Sequence, residues 1–462
     1  MKRTLRFVPS LLLVAACSSP SPATPDGGGV VENDAGADAP VVSKCAPATG
    51  PAIEHHSTIQ ADETWGPGLH VMTFGVAIRK NATLTIAPCA VVRVKKDYEL
   101  SVGSGNVGDG GKLVAEGRAD EPIVFEAADA DPWADILVMS QGSAKLAYVT
   151  LRGGGGNYAR RGASLHLFGD QYAPMQALAS VDHVTVENSG KYGVYLESRG
   201  AFSPDSHDLV IRGTNGMPMS VSAPASQSIP SGSYSGNKID AIRLSGGGYD
   251  DYHEDGVIHD RGVPYMVGGD GNFGELSVVG GPAGPATLTI EAGVKLEFPK
   301  SDRNSGLWVD RSTGDRPAGG ILKVLGTAEK PVTFTSSEAT PRPGDWVGIV
   351  FGAIPNAANK IDHARVEYAG GDTGTRGFSC GTPGSDDVIS NEAGIAILGQ
   401  PTSAFVTNSV IANSAKNGIE RAWLGTTIDF MATNTFENIA FCKQTANRTP
   451  NVACPTPPVC DR

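Results

Sequence analysis

One ordered set of sequence blocks occurs twice in this chain, and that duplication limits the fold more than any other feature. Residues 82–94 read ATLTIAPCAVVRV and residues 286–298 read ATLTIEAGVKLEF. LVAEGRADEPIVF at 113–125 returns as LKVLGTAEKPVTF at 322–334, and PWADILV at 132–138 as GDWVGIV at 344–350. LAYVTLR at 146–152 matches IDHARVE at 361–367, and HVTVENSGKYGV at 183–194 matches NSVIANSAKNGI at 408–419. The order is kept, and the offset drifts only from 204 to 225 residues. A duplicated unit with loop-length drift explains this; chance similarity does not.

Each block is a short apolar strand closed by a turn signal. In Leu84-Thr85-Ile86 the period of two sends Leu84 and Ile86 inward and Thr83 and Thr85 outward. Glu291-Ala292-Gly293 bends the chain in one copy and Ala87-Pro88-Cys89 in the other. Gly293 suggests a positive φ, and a cysteine at that place points to a local disulfide constraint. No apolar stripe at helical spacing separates the strands, which argues against a doubly wound α/β sheet. Asn-Gly hairpin signals at every junction are also lacking, which argues against an antiparallel sandwich. Short strands, short loops and long-range repetition predict an all-β solenoid, in which stacked turns bury what no single turn can bury alone.

The blocks resemble right-handed parallel β-helix proteins of the pectate-lyase-like type. More narrowly, they are similar to repeat surface lipoproteins of bacteria carrying a TLTIxPG strand, a GxLxAxGTxxxPIxFTS segment, a PGxWxGIxF segment and an xYAGG turn. Those segments here are Thr287 to Gly293, Ile321 to Ser336, Pro343 to Phe351 and Val366 to Gly371. The likeness runs over about residues 57–445 and rests on strand and turn positions, so it bears on fold more than on activity. It implies a right-handed parallel β-helix; the duplication divides it into two long repeats, 45–244 and 245–462 with a disulfide-rich C-terminal end, and strand signals at Ala241 to Leu244, Tyr265 to Val267 and Leu276 to Val279 favour one continuous coil.

The beginning of the chain reads as an export signal, residues 1–16. Lys2, Arg3 and Arg6 precede a short apolar stretch, too short to span a bilayer, that ends in Val14-Ala15-Ala16-Cys17. This resembles the bacterial lipobox, which implies cleavage before Cys17, lipidation of its thiol and acylation of its amino group. More than one acyl chain is what stable anchoring needs. Ser18 at the next position resembles outer-membrane delivery, so the expected location is the cell envelope. Residues 17–44 are rich in Ser, Pro, Ala, Gly and Asp and read as a lipidated, disordered linker.

Six further cysteines, Cys45, Cys89, Cys380, Cys442, Cys454 and Cys460, are an even number in an exported chain and are expected to form disulfides. Connectivity does not follow from sequence. Cys45 and Cys89 alone lie in the N-terminal half and are expected to pair; the other four would close the C-terminal end. Without a CxxC pair or a neighbouring histidine, a metal site among them is disfavoured.

The net charge of −12 opposes a nucleic-acid surface. Trp133 and Trp346 are read as corner packing rather than sugar platforms, Asn188 and Asn413 as members of amide ladders, and Gly153 to Gly156 as a turn. The densest polar run is Asp250, Asp251, Tyr252, His253, Glu254 and Asp255, followed by His259, Asp260 and Arg261. It offers oxygens for Ca2+ or imidazoles for a transition metal, set against a solvated loop between the copies. No calcium loop, zinc spacing, P-loop or nucleophile elbow occurs. No segment matches a lyase or glycosidase catalytic motif, and no resident cofactor is expected.

The expectation is therefore a membrane-anchored envelope protein that uses its solenoid face, without catalysis, to bind a polysaccharide or a surface protein. The alternative is a polysaccharide lyase or glycoside hydrolase. An enzyme should gather Asp, Glu, Lys or Arg in a groove on one parallel sheet; ladders of Thr, Ser and Asn alone would argue against it.

Overall fold

The structure is a computed structural model that describes residues 43–156, 161–268, 274–300, 305–310, 319–374, 392–447 and 459–461. All of these fall in the unit Val42–Arg462. Residues 1–42, including Cys17, and Cys380 and Cys454 lie outside them.

The fold is the all-β parallel β-helix that the duplication predicts. Strand Ala82–Ile86 pairs in parallel with Gly111–Glu116, Ala90–Val94 with Ile123–Ala127, and Leu100–Val102 with Ile136–Met139. One turn of coil thus supplies one strand to each of three faces. Like residues stack on like: Leu84 lies over Leu113 in the first copy and Leu288 over Leu322 in the second. Leu84 and Ile86 are buried while Thr83 and Thr85 remain half-exposed, as the alternation requires. The inward rows form a single core running from Ile59 to Phe430. Each stacked aliphatic side chain contributes about 1.5–3 kcal/mol relative to exposure.

The corners explain several sequence oddities. Cys89 has φ +64° and its counterpart Gly293 φ +89°, so both copies turn through the left-handed region at the same step. A side chain is costly there, and Cys89 is held by a disulfide to Cys45. A second disulfide joins Cys442 to Cys460. Trp133 and Trp346 are buried corner residues with matching bonds: each Nε1–H donates at 2.8 Å to a backbone carbonyl, that of Arg152 and that of Glu367. Arg152 and Glu367 are themselves counterparts in the duplication. Asn188 and Asn413 both have positive φ, and Asn438 one turn later donates Nδ2–H to Asn413 Oδ1 at 3.0 Å, which begins an amide ladder.

The coil runs through the seam between the copies. Strand Ile242–Ser245 pairs with Tyr265–Val267, and that strand pairs with Lys295–Phe298. The repeat boundary near residue 245 is therefore the end of a strand inside a ladder. Across this seam the copies are out of phase by one face. A 13-stranded sheet unites first-copy strands such as Ile136–Met139 and Tyr192–Glu197 with second-copy strands such as Lys295–Phe298 and Val332–Ser336. Yet the second-copy counterparts of the former, Ile349–Phe351 and Asn417–Arg421, belong to another sheet. The first-copy counterparts of the latter, Ala90–Val94 and Ile123–Ala127, likewise lie elsewhere. The second copy thus continues the coil rotated by one strand position.

Candidate functional site

The same sheet carries an unusual outer row. Register aligns Leu137, His166, Tyr195, Ser220 and Arg243 across five successive strands. Their neighbours Val138, Leu165, Val194, Val221 and Leu244 point into the core. An outer row should be wet, but Ser220, His166 and Arg243 are only 0%, 1% and 4% exposed. Of these, Arg243 lines a cleft of about 780 Å³ together with Arg161, Lys191, Tyr192, Tyr195, Glu197 and Asp250, while His166 meets it through its bond to Glu197. A smaller recess of about 190 Å³ adjoins it, sharing Glu197 and Asp250 and adding Arg199.

Charges persist in such a place only when paired. Arg161 grips Glu197 with both arms of its guanidinium, Nε–H donating to Oε2 at 3.0 Å and Nη2 to Oε1. His166 Nε2 lies 3.0 Å from the same Oε2. Burial pushes the Glu197 carboxyl up, but the hydrogen bonds from His166 and Arg161 and the Arg161 charge outweigh it and hold the group at about 2. Asp250 goes the other way. Burial pushes its carboxyl up and the nearby Glu197 charge adds to this, against the Ser245 hydroxyl that donates to Oδ2 at 3.0 Å. Arg243 donates from Nε to the Gly268 carbonyl and from Nη1 to the Tyr192 hydroxyl, both at 3.0 Å. Arg161 and Lys191 lie over the rings of Tyr195 and Tyr192, at 5.4 and 5.1 Å from the centroids.

Of the polar run seen in the sequence, Asp250 alone lines this cleft. Glu254 accepts a 2.6 Å ion pair from Arg199. His253 Nδ1 lies 3.0 Å from the Gly280 carbonyl, and Asp255 accepts the Thr287 amide at 2.7 Å. Asp251 is half-buried; that burial and then the Glu275 charge push its carboxyl up to about 6. His259 pairs with Glu291 at 2.9 Å, Asp260 accepts the Gly262 amide, and Arg261 donates to the Ile229 carbonyl. The run therefore fans out to different partners and does not converge on one point.

Sequence reading did not single out Arg161, Lys191, Tyr195, Glu197 or Arg243. A usable signal was present. In Tyr192-Gly193-Val194-Tyr195-Leu196-Glu197 the alternation puts Tyr195 and Glu197 outside, and Arg243 stands alone between Ile242 and Leu244. On the equivalent sheet of the second copy the outer row aligns Ser277, Trp308, Val350, Ala396 and Glu420, all buried, with three apolar residues at its centre.

Residues 275–376 match the family model described as pectate-lyase like beta helix domain. No match was found among curated proteins or among solved structures. The chain is thus a parallel β-helix whose residues 275–376 are similar to the pectate-lyase-like β-helix domain, while its polar groove runs from the first copy to Ser245 and Asp250 at the seam.

Proposed function

We propose that the protein is an envelope lipoprotein, tethered through Cys17, whose first-copy groove binds polysaccharide. The observation that carries this reading is a single cleft in which Tyr192, Tyr195, Glu197 and Arg243 of one parallel sheet meet Arg161, Lys191 and Asp250 from the adjoining turns. Tyr195, partly exposed, offers a ring to sugars, while fixed donors and acceptors around it read hydroxyl positions. The cations suit uronate carboxylates, for which guanidinium geometry is well matched.

A second reading, cleavage of the bound glycan, is favoured by the two carboxylates whose environments drive them apart. Glu197 is held ionised and Asp250 is biased toward its protonated form. Groups separated in this way can divide base and acid roles. Because the acid must be protonated, turnover should fall as pH rises through the raised Asp250 value; the other limb lies near pH 2, where Glu197 takes up its proton.

The full chain carrying Cys17→Ala, screened against uronate and neutral glycans with and without Ca2+, tests both readings. Binding is expected to weaken by about 10–100-fold in Arg243→Ala, which removes roughly 1.5–3 kcal/mol of charged hydrogen bonding. No binding to any glycan would remove the proposal. Product formation that Glu197→Gln and Asp250→Asn abolish would establish cleavage, and binding without product would leave recognition alone. The tether is tested separately: Cys17→Ala should leave the membrane fraction or accumulate as precursor, and unchanged lipid labelling would refute it.

A further inference from the structure

We propose that Asp182, His183, His207 and Asp208 form a binding site for one divalent transition-metal ion, Zn2+ being the natural probe, that clips two successive turns of the first copy together. The site lies at a corner, away from the groove floor, and is independent of the glycan reading. Asp182 belongs to strand Gln176–Glu187 and His207 opens strand His207–Arg212, one turn later; register sets them side by side. His183 and Asp208 are the next residue on each strand, and both have φ +52°, so the chain turns the same corner twice with a ligand-type side chain at the step.

One donor atom from each of the four lies within 4.8 Å of the others. His207 Nδ1 is 2.9 Å from Asp208 Oδ2 and 3.5 Å from Asp182 Oδ1, and His183 Nε2 is 3.7 Å from Asp208 Oδ2. His183 Nδ1 also meets Asp182 Oδ1. Tyr148 lies flat against the His183 ring, with centroids 4.5 Å apart and planes 12° apart, which restricts the imidazole. Lys145, whose charge reaches Asp182, is paired with Glu116. Two imidazoles and two carboxylates are the donor set of zinc and its first-row neighbours. Both histidines are exposed, so modest rotations suffice to close the ligands around an ion.

The duplication supplies an independent comparison. At the same corner of the second copy, Thr407 and Asn408 stand where the first has Asp182 and His183. Strand register extends the comparison to Ala432 and Thr433 in place of His207 and Asp208. There the corner is held by Asn408 Nδ2 and Thr407 Oγ1 donating to Asp362 Oδ1 at 2.9 and 3.1 Å, with Asn408 at φ +50°. The fold therefore closes this corner with Thr407 and Asn408 bonded to a single carboxylate, and the set of two histidines and two aspartates is not demanded by the turn.

The test is Zn2+ titration of the full chain carrying Cys17→Ala, which removes a thiol ligand, in competition with a chromophoric chelator. The double variant His183→Asn/His207→Ala copies the residues that the second copy carries, so the coil should fold. We expect saturable Zn2+ binding in the parent chain and an affinity at least about tenfold lower in the double variant. Zn2+ should also raise the melting temperature of the parent and not of the variant. His363→Asn, at the second-copy corner, should bind like the parent. A parent chain that binds no Zn2+, or a double variant that binds it as tightly as the parent, overturns the site.

Discussion

Trp346→Ala should lower the unfolding free energy by about 4 kcal/mol, the range for deleting a buried aromatic. Trp346 is fully buried, lies parallel to Phe298 with centroids 4.4 Å apart, and ties the corner through its bond to the Glu367 carbonyl. Truncation leaves a cavity between turns and a buried carbonyl without its donor. Trp346→Phe keeps most of the packing and should cost less, with about 1–3 kcal/mol from the lost hydrogen bond and the unpaired carbonyl. Denaturant unfolding followed at several probes measures both, since a long solenoid need not melt as one unit. A change within about 0.5 kcal/mol for Trp346→Ala, the size of an ordinary surface effect, would mean that this corner is not packed as described.

Opening the Cys45–Cys89 disulfide should cost about 4 kcal/mol on loop entropy alone, because it closes a separation of 44 residues. Two ways of opening it are predicted to differ. Cys45→Ser/Cys89→Ser leaves a β-carbon at φ +64°, whereas Cys45→Ser/Cys89→Gly restores the residue type that the second copy uses at φ +89°. The glycine variant should be the more stable by about 1 kcal/mol, since glycine alone enters that region without steric cost. Thermal or denaturant unfolding of the pair reads the difference. Equal stability would remove the argument that the disulfide offsets a strained corner.

Much of the fold was legible because the cause is local and repeated. Leu84 and Ile86 alternate with threonines, and the same alternation returns at Leu288 and Ile290, so period and duplication together implied stacked turns. Cys89 in a glycine position flagged its own constraint. The phase shift between copies was not legible. It lies between the blocks that recur, 183–194 and 286–298, where no counterpart sequence marks which face a strand joins. The groove was hidden for a different reason. Its row His166, Tyr195, Ser220 and Arg243 comes from separate turns, and only register brings these residues together. Asp250 to Asp255 show the opposite case. Asp250 closes the 3-10 turn Gly248–Asp250 and the chain then bends on to the strand Gly256–Ile258, so these sequence neighbours take separate partners, Ser245, Gly280, Arg199 and Thr287.

The central claim is a single ladder of parallel strands in which the second copy continues the first one face out of phase. Paired cysteines across the seam test it most directly. Arg243 and Met266 are register partners on the outer side of neighbouring strands, while Ser233 belongs to a strand on another face. Adjacent strands lie roughly 4.8 Å apart, within disulfide reach. Under mild oxidation, Arg243→Cys/Met266→Cys should cross-link in the folded chain and Ser233→Cys/Met266→Cys should not, as read by peptide mapping. A link through position 233 and none through position 243 would mean that the copies stack in phase, contradicting the arrangement on which the groove and the seam both depend.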